Sequence, residues 1–214
     1  MINQTAENTS EVVEARLNDG LSKLGTYEIL SSAKVGPTIA NDIKVASFWA
    51  AILALLGIGL YILIRFRKWQ YALGAIIALT HDVLMMLSFY SILNGILPFA
   101  MEVDQNFIAA VLTIIGFSIN DTVVVFDRIR EFLGTHHHEN NKKLVINNAL
   151  NNTLNRTIIT SLTVFMVTFV LFLFGGEVIK GFTFALLVGI VFGTYSSLAI
   201  ATPIVVDFDK KNKE

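Results

Sequence analysis

The chain has 214 residues, of which 54% are hydrophobic and 15% charged, and its mean hydropathy is +0.62. These proportions exclude an ordinary water-soluble domain, and a net charge of −1 gives no general attraction to nucleic acid. The absence of cysteine excludes disulfides, iron–sulfur clusters and thiolate zinc sites, so function must be read from polar residues placed along apolar segments.

Residues 1–44 read as the remnant of an extracytoplasmic α+β domain with a pre-membrane segment. Ser10 can cap a helix running to about Leu24, Gly25 can stop it, and Tyr27 to Val35 is a strand candidate ended by Gly36-Pro37. The alternative is a free-standing amphipathic tail. Five apolar stretches follow, at 45–64, 69–93, 107–126, 157–174 and 182–206. Each is long enough to cross a hydrocarbon core of about 30 Å at about 1.5 Å per residue. Between the third and fourth, Ile146, Leu150 and Leu154 recur at helical spacing in an asparagine-rich run. This predicts an amphipathic helix over about 142–154 lying along the membrane interface. Residues 207–214 form a polar tail.

Charge sets the orientation. Arg65, Arg67 and Lys68 fill the first connection, Arg128, Arg130, Lys142 and Lys143 the third, and Lys210, Lys211 and Lys213 the tail. These segments are predicted to be cytoplasmic. The connection Asn94 to Asn106 carries Glu102 and Asp104 without Lys or Arg, and Gly175 to Gly181 is a short turn; both are predicted to face outward. The amino terminus is therefore expected outside and the carboxyl terminus inside. Because Met1 to Ser10 lacks an apolar signal segment, an upstream portion is expected to precede this sequence.

A charged side chain near the bilayer centre costs at least about 2.5–3.5 kcal/mol on insertion scales, so an intramembrane carboxylate marks a functional candidate. Asp82 lies roughly 20 Å along its helix from Trp69, and Asp121 roughly 10 Å from the boundary at Arg128. Arg156 opens the fourth span, and its long stem can reach along the helix toward Asp121. An acid beside a permanent cation is a proton-binding device: the guanidinium holds the carboxylate ionised until separation lets the desolvated acid take up a proton. The alternative is a static ion pair that fixes packing. His81, Asp82, Ser118 and Asn120 are accessory polar candidates; as helix neighbours, His81 and Asp82 point about 100° apart and do not automatically form one site. His136, His137 and His138 are consecutive loop residues, a poor pattern for a metal site, so neither a metal nor a cofactor is assigned. Gly189 and Gly193 form a small-residue face on the fifth span, and Gly116 with Ser118 another on the third.

Several segments carry a family likeness: Val35-Gly36-Pro37, Tyr61 through Arg65-Phe66, His81-Asp82-Val83, and the run Gly116-Phe117-Ser118-Ile119-Asn120-Asp121-Thr122-Val123-Val124-Val125-Phe126-Asp127-Arg128-Ile129-Arg130-Glu131. With Asn155-Arg156-Thr157-Ile158-Ile159-Thr160-Ser161-Leu162-Thr163, Phe174-Gly175-Gly176 and Gly193-Thr194-Tyr195-Ser196-Ser197, they resemble the SecF family of the bacterial Sec secretion system over about residues 27–206. Phe117 departs from the family's more frequent Tyr. The resemblance implies a resistance–nodulation–division type bundle of six spans, with a large extracytoplasmic domain after the first, so that the five spans here match the second to sixth. It also implies the cytoplasmic membrane as location, and as partners SecD, separate or fused, the SecYEG channel, translocating preprotein and protons. By motif position it places the proton route at Asp121 and Arg156, and it implies that the proton-motive force assists preprotein export rather than enzyme catalysis.

Two other classes fit parts of the pattern. A proton-coupled drug or lipid exporter of the same superfamily shares intramembrane acids, but normally in much longer chains. An intramembrane aspartyl protease would pair Asp82 with Asp121, although their predicted depths differ. A serine version on Ser118 and His81 lacks a G-x-S-x-G elbow, because Asn120 fills its last position.

Overall fold

The computed structural model describes residues 12, 15–16, 18–23, 37–136, 138–139 and 141–208, with 37–44 as backbone alone. Residues 1–34 and 35–214 are separate units. In the first, residues 12, 15–16 and 18–22 are helical, inside the helix predicted from Ser10; the predicted strand over Tyr27–Val35 lies outside the described residues.

The second unit is all-helical among its described residues: α1 (Pro37–Phe66), α2 (Trp69–Leu93), α3 (Gln105–Thr135), α4 (Lys142–Phe174), α5 (Glu177–Ser196), a π-helical turn (Ser197–Ala201) and α6 (Thr202–Phe208). α5, the wide turn and α6 form one span, giving, among the described residues, five helices long and apolar enough to cross a membrane. The two-residue links between α1 and α2 and between α4 and α5 force those pairs to run antiparallel. Pro37 opens α1, a position where its missing N–H costs no hydrogen bond. Asp104 caps α3 by accepting from the Phe107 N–H at 2.9 Å, and Asn141 caps α4 by accepting from the Leu144 N–H at 3.2 Å. The α1–α2 link is made by Arg67, a non-glycine residue at φ 56°, whose N–H donates to the Leu63 carbonyl and ends α1. Gly176, at φ 80°, makes the corresponding tight reversal between α4 and α5.

The predicted interfacial helix over 142–154 is not a separate element. It is the first part of the continuous α4, and Ile146 and Ala149 are buried in a core with Ile129 instead of lying along a membrane surface. α3 likewise runs beyond the apolar stretch 107–126, because its last turns pack Ile129 inward while Arg128 and Arg130 stay at the edge.

Two apolar cores stack along the bundle. One, at the end carrying Arg65, Arg128 and Lys143, gathers Ile62, Phe66, Tyr71, Ala75, Phe126, Ile129, Ile146 and Val205. There the rings of Phe66 and Tyr71 stack at 5.1 Å, with Phe126 edge-on to Tyr71 at 4.9 Å. The other, at the end carrying Glu102 and Asp104, gathers Leu79, Met86, Tyr90, Phe107, Ile114, Ala185 and Ile190. On α3 and α5 the residues between these cores are polar: Ser118, Asp121 and Thr122 on α3, and Thr194, Ser196 and Ser197 leading into the wide turn.

The outer surface is apolar. Leu53, Leu56 and Leu60 on α1 and Ile159, Leu162, Val167 and Val170 on α4 are exposed, as suits lipid or neighbouring apolar helices rather than water.

Candidate functional site

Helical periodicity explains why the acids point inward. Tyr71, Ala75, Ala78, Asp82, Met86 and Tyr90 recur at three- or four-residue spacing on α2, so Asp82 falls in the buried stripe. On α3 the stripe Ile114, Ser118, Asp121, Val125 and Ile129 does the same for Asp121. Asp82 is 0% exposed and Asp121 3%.

The two carboxylates sit in different networks. Asp82 accepts from the Ser118 hydroxyl at 2.7 Å, and its other oxygen lies 3.3 Å from His81 Nδ1. The acid thus stands between serine and histidine, which is the wrong order for a serine nucleophile activated by an imidazole. Asp121 accepts from the Ser161 hydroxyl of α4 at 3.2 Å, and Ser161 in turn lies 2.7 Å from the Thr194 hydroxyl of α5. No hydrogen bond joins Asp82 to Asp121 among the described residues, so the pair lacks the shared proton of an aspartyl dyad. Next to both networks, Thr122 and Ser197 pair at 2.9 Å, and Ser197 also reaches the Gly193 and Ser118 carbonyls.

Close helix approach makes room for these contacts. A Cβ on Gly193 would lie 3.1 Å from Ser118 Cβ and 3.7 Å from Asp82 Oδ2, and one on Gly189 would crowd the Ile114 side chain. Gly116 differs: nothing lies within 4 Å of where its Cβ would be. Asn120 is exposed, lining a shallow groove with Gly57, Ile58 and Tyr61 of α1.

Arg156 is exposed and makes no ion pair with Asp121 within 4 Å among the described residues. It lines a cleft of about 430 Å³ at the basic end, together with Arg65, Asp127, Arg128, Glu131, Asn152 and Thr153. There Arg65 pairs with Asp127 at 3.0 Å, and Arg128 bonds Glu131 at 2.6 Å and Asn152 of α4. Arg156 precedes Ser161 by about 7.5 Å of helix rise and about 140° of rotation, so α4 presents the cation and the hydroxyl that touches Asp121 on different sides. Asp121 and Arg156 are therefore near each other in depth and apart in direction.

Among the described residues no group of three or more His, Cys, Asp or Glu converges to hold a metal; His136 instead stacks on Phe132, and His137 lies outside the description. The contributions of Ser161, Thr194, Thr122 and Ser197 were not foreseen from sequence. The available signal was hydroxyl residues recurring at helical spacing inside otherwise apolar spans, Thr153, Thr157 and Ser161 on α4 being the clearest case.

Residues 16–211 match the family described as protein export membrane protein SecD/SecF, C-terminal. The chain belongs to the SecD/SecF family. Within it, similar relatives are the protein translocase subunits SecF of Rhodothermus marinus, 52% identical over 84% of this chain, and of Helicobacter pylori, 39% identical over 97%. The chain spans 58% and 62% of their respective lengths. Two solved SecDF structures share the fold. A super-membrane-facing form superposes with TM-score 0.74 at 33% identity, covering 94% of this chain and 26% of that one. SecDF from Thermus thermophilus, described as a translocon-associated membrane protein, gives 0.73 at 38% identity, covering 82% and 23%.

Proposed function

We propose that this chain forms the membrane bundle of a SecF-type export subunit and that Asp121 exchanges the protons whose downhill movement assists preprotein translocation. The observation that carries this reading is a carboxyl group 3% exposed at mid-bundle, held by the Ser161 hydroxyl of another helix and, among the described residues, with no cation within 4 Å, in a chain of the SecD/SecF family. A buried carboxyl without a fixed counter-charge changes its interaction with its surroundings strongly when it gains or loses a proton. Its protonation thereby alters how α3 sits against α4 and α5. Arg156, on the adjoining cleft, supplies the cation that competes for the ionised acid when α4 turns or the side chain swings inward. Asp82 and His81 form a second polar centre that ties α2 to α3.

In this reading the partners are SecD, with which the chain completes a pseudo-symmetric pair, the SecYEG channel and the translocating preprotein. The location is the bacterial cytoplasmic membrane, with the basic end in the cytoplasm, as the Lys and Arg distribution supports. The test replaces Asp121 with Asn, and separately Arg156 with Met, in the full-length subunit assembled with its partner. Gradient-dependent completion of preprotein translocation is then measured in membrane vesicles. Loss of the gradient-dependent part with ATP-driven insertion intact is the expected result; unchanged completion by a correctly assembled complex returns both residues to a packing role.

A further inference from the structure

The threonines of α4 separate into two kinds. Thr160, Thr163 and Thr168 donate to the carbonyl four residues earlier, at 2.7, 2.7 and 2.8 Å, and Thr153 to the Ala149 and Leu150 carbonyls, at 3.3 and 2.9 Å, which is how a hydroxyl in an apolar helix ordinarily satisfies itself. Thr157 does not. It is 1% exposed, and its hydroxyl oxygen has no hydrogen-bond partner among the described residues. A buried hydroxyl left unpaired costs about 1–3 kcal/mol, so its orientation needs a cause.

The surroundings supply one. Thr153, Thr157 and Ser161 are each four residues apart and buried, so they form a file of hydroxyls along one side of α4. Thr153 lines the cleft at the basic end, and Ser161 holds Asp121. Successive levels are separated by about 6 Å of helix rise, the span of one bridging water making two hydrogen bonds of about 2.8 Å. A polar site flanked by hydroxyls is one that a buried water occupies, whereas an apolar void stays dry.

We propose that Thr157 holds a water, and that the file Thr153–Thr157–Ser161 is the route by which protons pass between the basic-end cleft and Asp121. The chemistry is hydrogen-bonded relay: a hydroxyl or water accepts a proton on one side and releases another on the other, with no covalent bond between heavy atoms made or broken. This rests on the reading that Asp121 exchanges protons, and adds the path and the residue that keeps it wet.

The test uses the full-length subunit with its partner. A structure of that complex at a resolution showing ordered solvent is expected to contain a water within about 3.2 Å of Thr157 Oγ1 that is missing from Thr157→Val. In vesicles Thr157→Val, which keeps the volume and removes the hydroxyl, is expected to lower gradient-dependent translocation at least about tenfold, while Thr157→Ser restores it. Thermal stability of Thr157→Val is expected to stay close to that of the parent, because the change keeps the volume and gives up one water-mediated hydrogen bond; a merely structural threonine would instead lose stability and leave coupling intact. No water at Thr157, or parental coupling in Thr157→Val, overturns the route. Parental coupling in Asp121→Asn overturns the proposed function instead, and the solvent structure still decides whether the file is wet.

Discussion

Ser118→Ala is the sharpest probe of the mid-bundle polar layer. The Ser118 hydroxyl and the Asp82 carboxyl are both fully buried, 0% exposed, and meet at 2.7 Å across the α2–α3 interface. Asp82 also meets His81 on its own helix at 3.3 Å and the Ser196 hydroxyl of α5, so Ser118 is the donor that ties it to α3. Removing the hydroxyl leaves a buried carboxyl oxygen without that donor, a loss of about 1–3 kcal/mol in proteins generally, while interhelical hydrogen bonds in membranes average about 0.6 and reach about 1.7 kcal/mol. Because both groups are fully buried, the expected cost lies in the upper part of the membrane range, about 1–2 kcal/mol. A double-mutant cycle with Asp82→Ala isolates the pair, since the two single changes share this contact. The assay is reversible unfolding of the full-length subunit in mixed micelles, with helix content as signal. A coupling energy of about 1–2 kcal/mol is expected. A coupling below about 0.3 kcal/mol, with both single variants folded, would refute the account of Asp82 as a strut between α2 and α3.

Two further changes test other parts of the fold. Arg67→Gly removes a side chain from a left-handed position that costs an L-residue about 1–2 kcal/mol, against about 0.5–1 kcal/mol of extra unfolded-chain entropy. It is expected to raise stability by about 0.5–1 kcal/mol over Arg67→Ala, a control that loses the same charge but keeps the strain, as read by midpoint shifts in the same unfolding assay. Gly189→Leu forces a side chain into Ile114 and is expected to cost about 1–3 kcal/mol or prevent folding, whereas Gly116→Leu has open space and leaves the stability of this bundle unchanged. Equal effects of the two in thermal unfolding would contradict the packing of α5 against α3 at that level.

Most of the architecture was written in the sequence because a bilayer enforces it: an apolar stretch with all its backbone bonds internal has no option but a helix. The inward placement of Asp82 and Asp121 was also legible, since each shares its helical phase with the apolar residues around it. What could not be read was which helix each acid meets. Ser118 lies three residues before Asp121 on α3 and yet serves Asp82, while Ser161 and Thr194 come from α4 and α5. Those pairings depend on the rotation of packed helices, which no local pattern encodes. The amphipathic run before the fourth span was recognised, but its apolar face fits a protein core as well as a membrane surface. The choice was made by Ile129, which lies in the same buried core as Ile146. Arg67 carried no turn signature, since its left-handed geometry is imposed by a short link and not by its side chain.

The wide turn at Ser197–Ala201 has a geometric consequence. Pro203, just beyond it, lacks an N–H and crowds the carbonyl four residues earlier, which favours a loosened turn there; the Thr202 hydroxyl instead reaches the carbonyl of Ser197, 3.3 Å away. The buried positions Gly189, Gly193, Ser197, Ala201 and Val205 advance in steps of four. On a regular α-helix that sequence would spiral through about 160°, carrying Val205 almost to the opposite side. The dislocation takes up part of this drift, so one seam faces Ile114, Ser118 and Gly74 along nearly the whole span. It also means that the two halves of the helix are indexed separately: the half beyond the turn keeps its own angular phase, and Ser197 sits where the two phases meet.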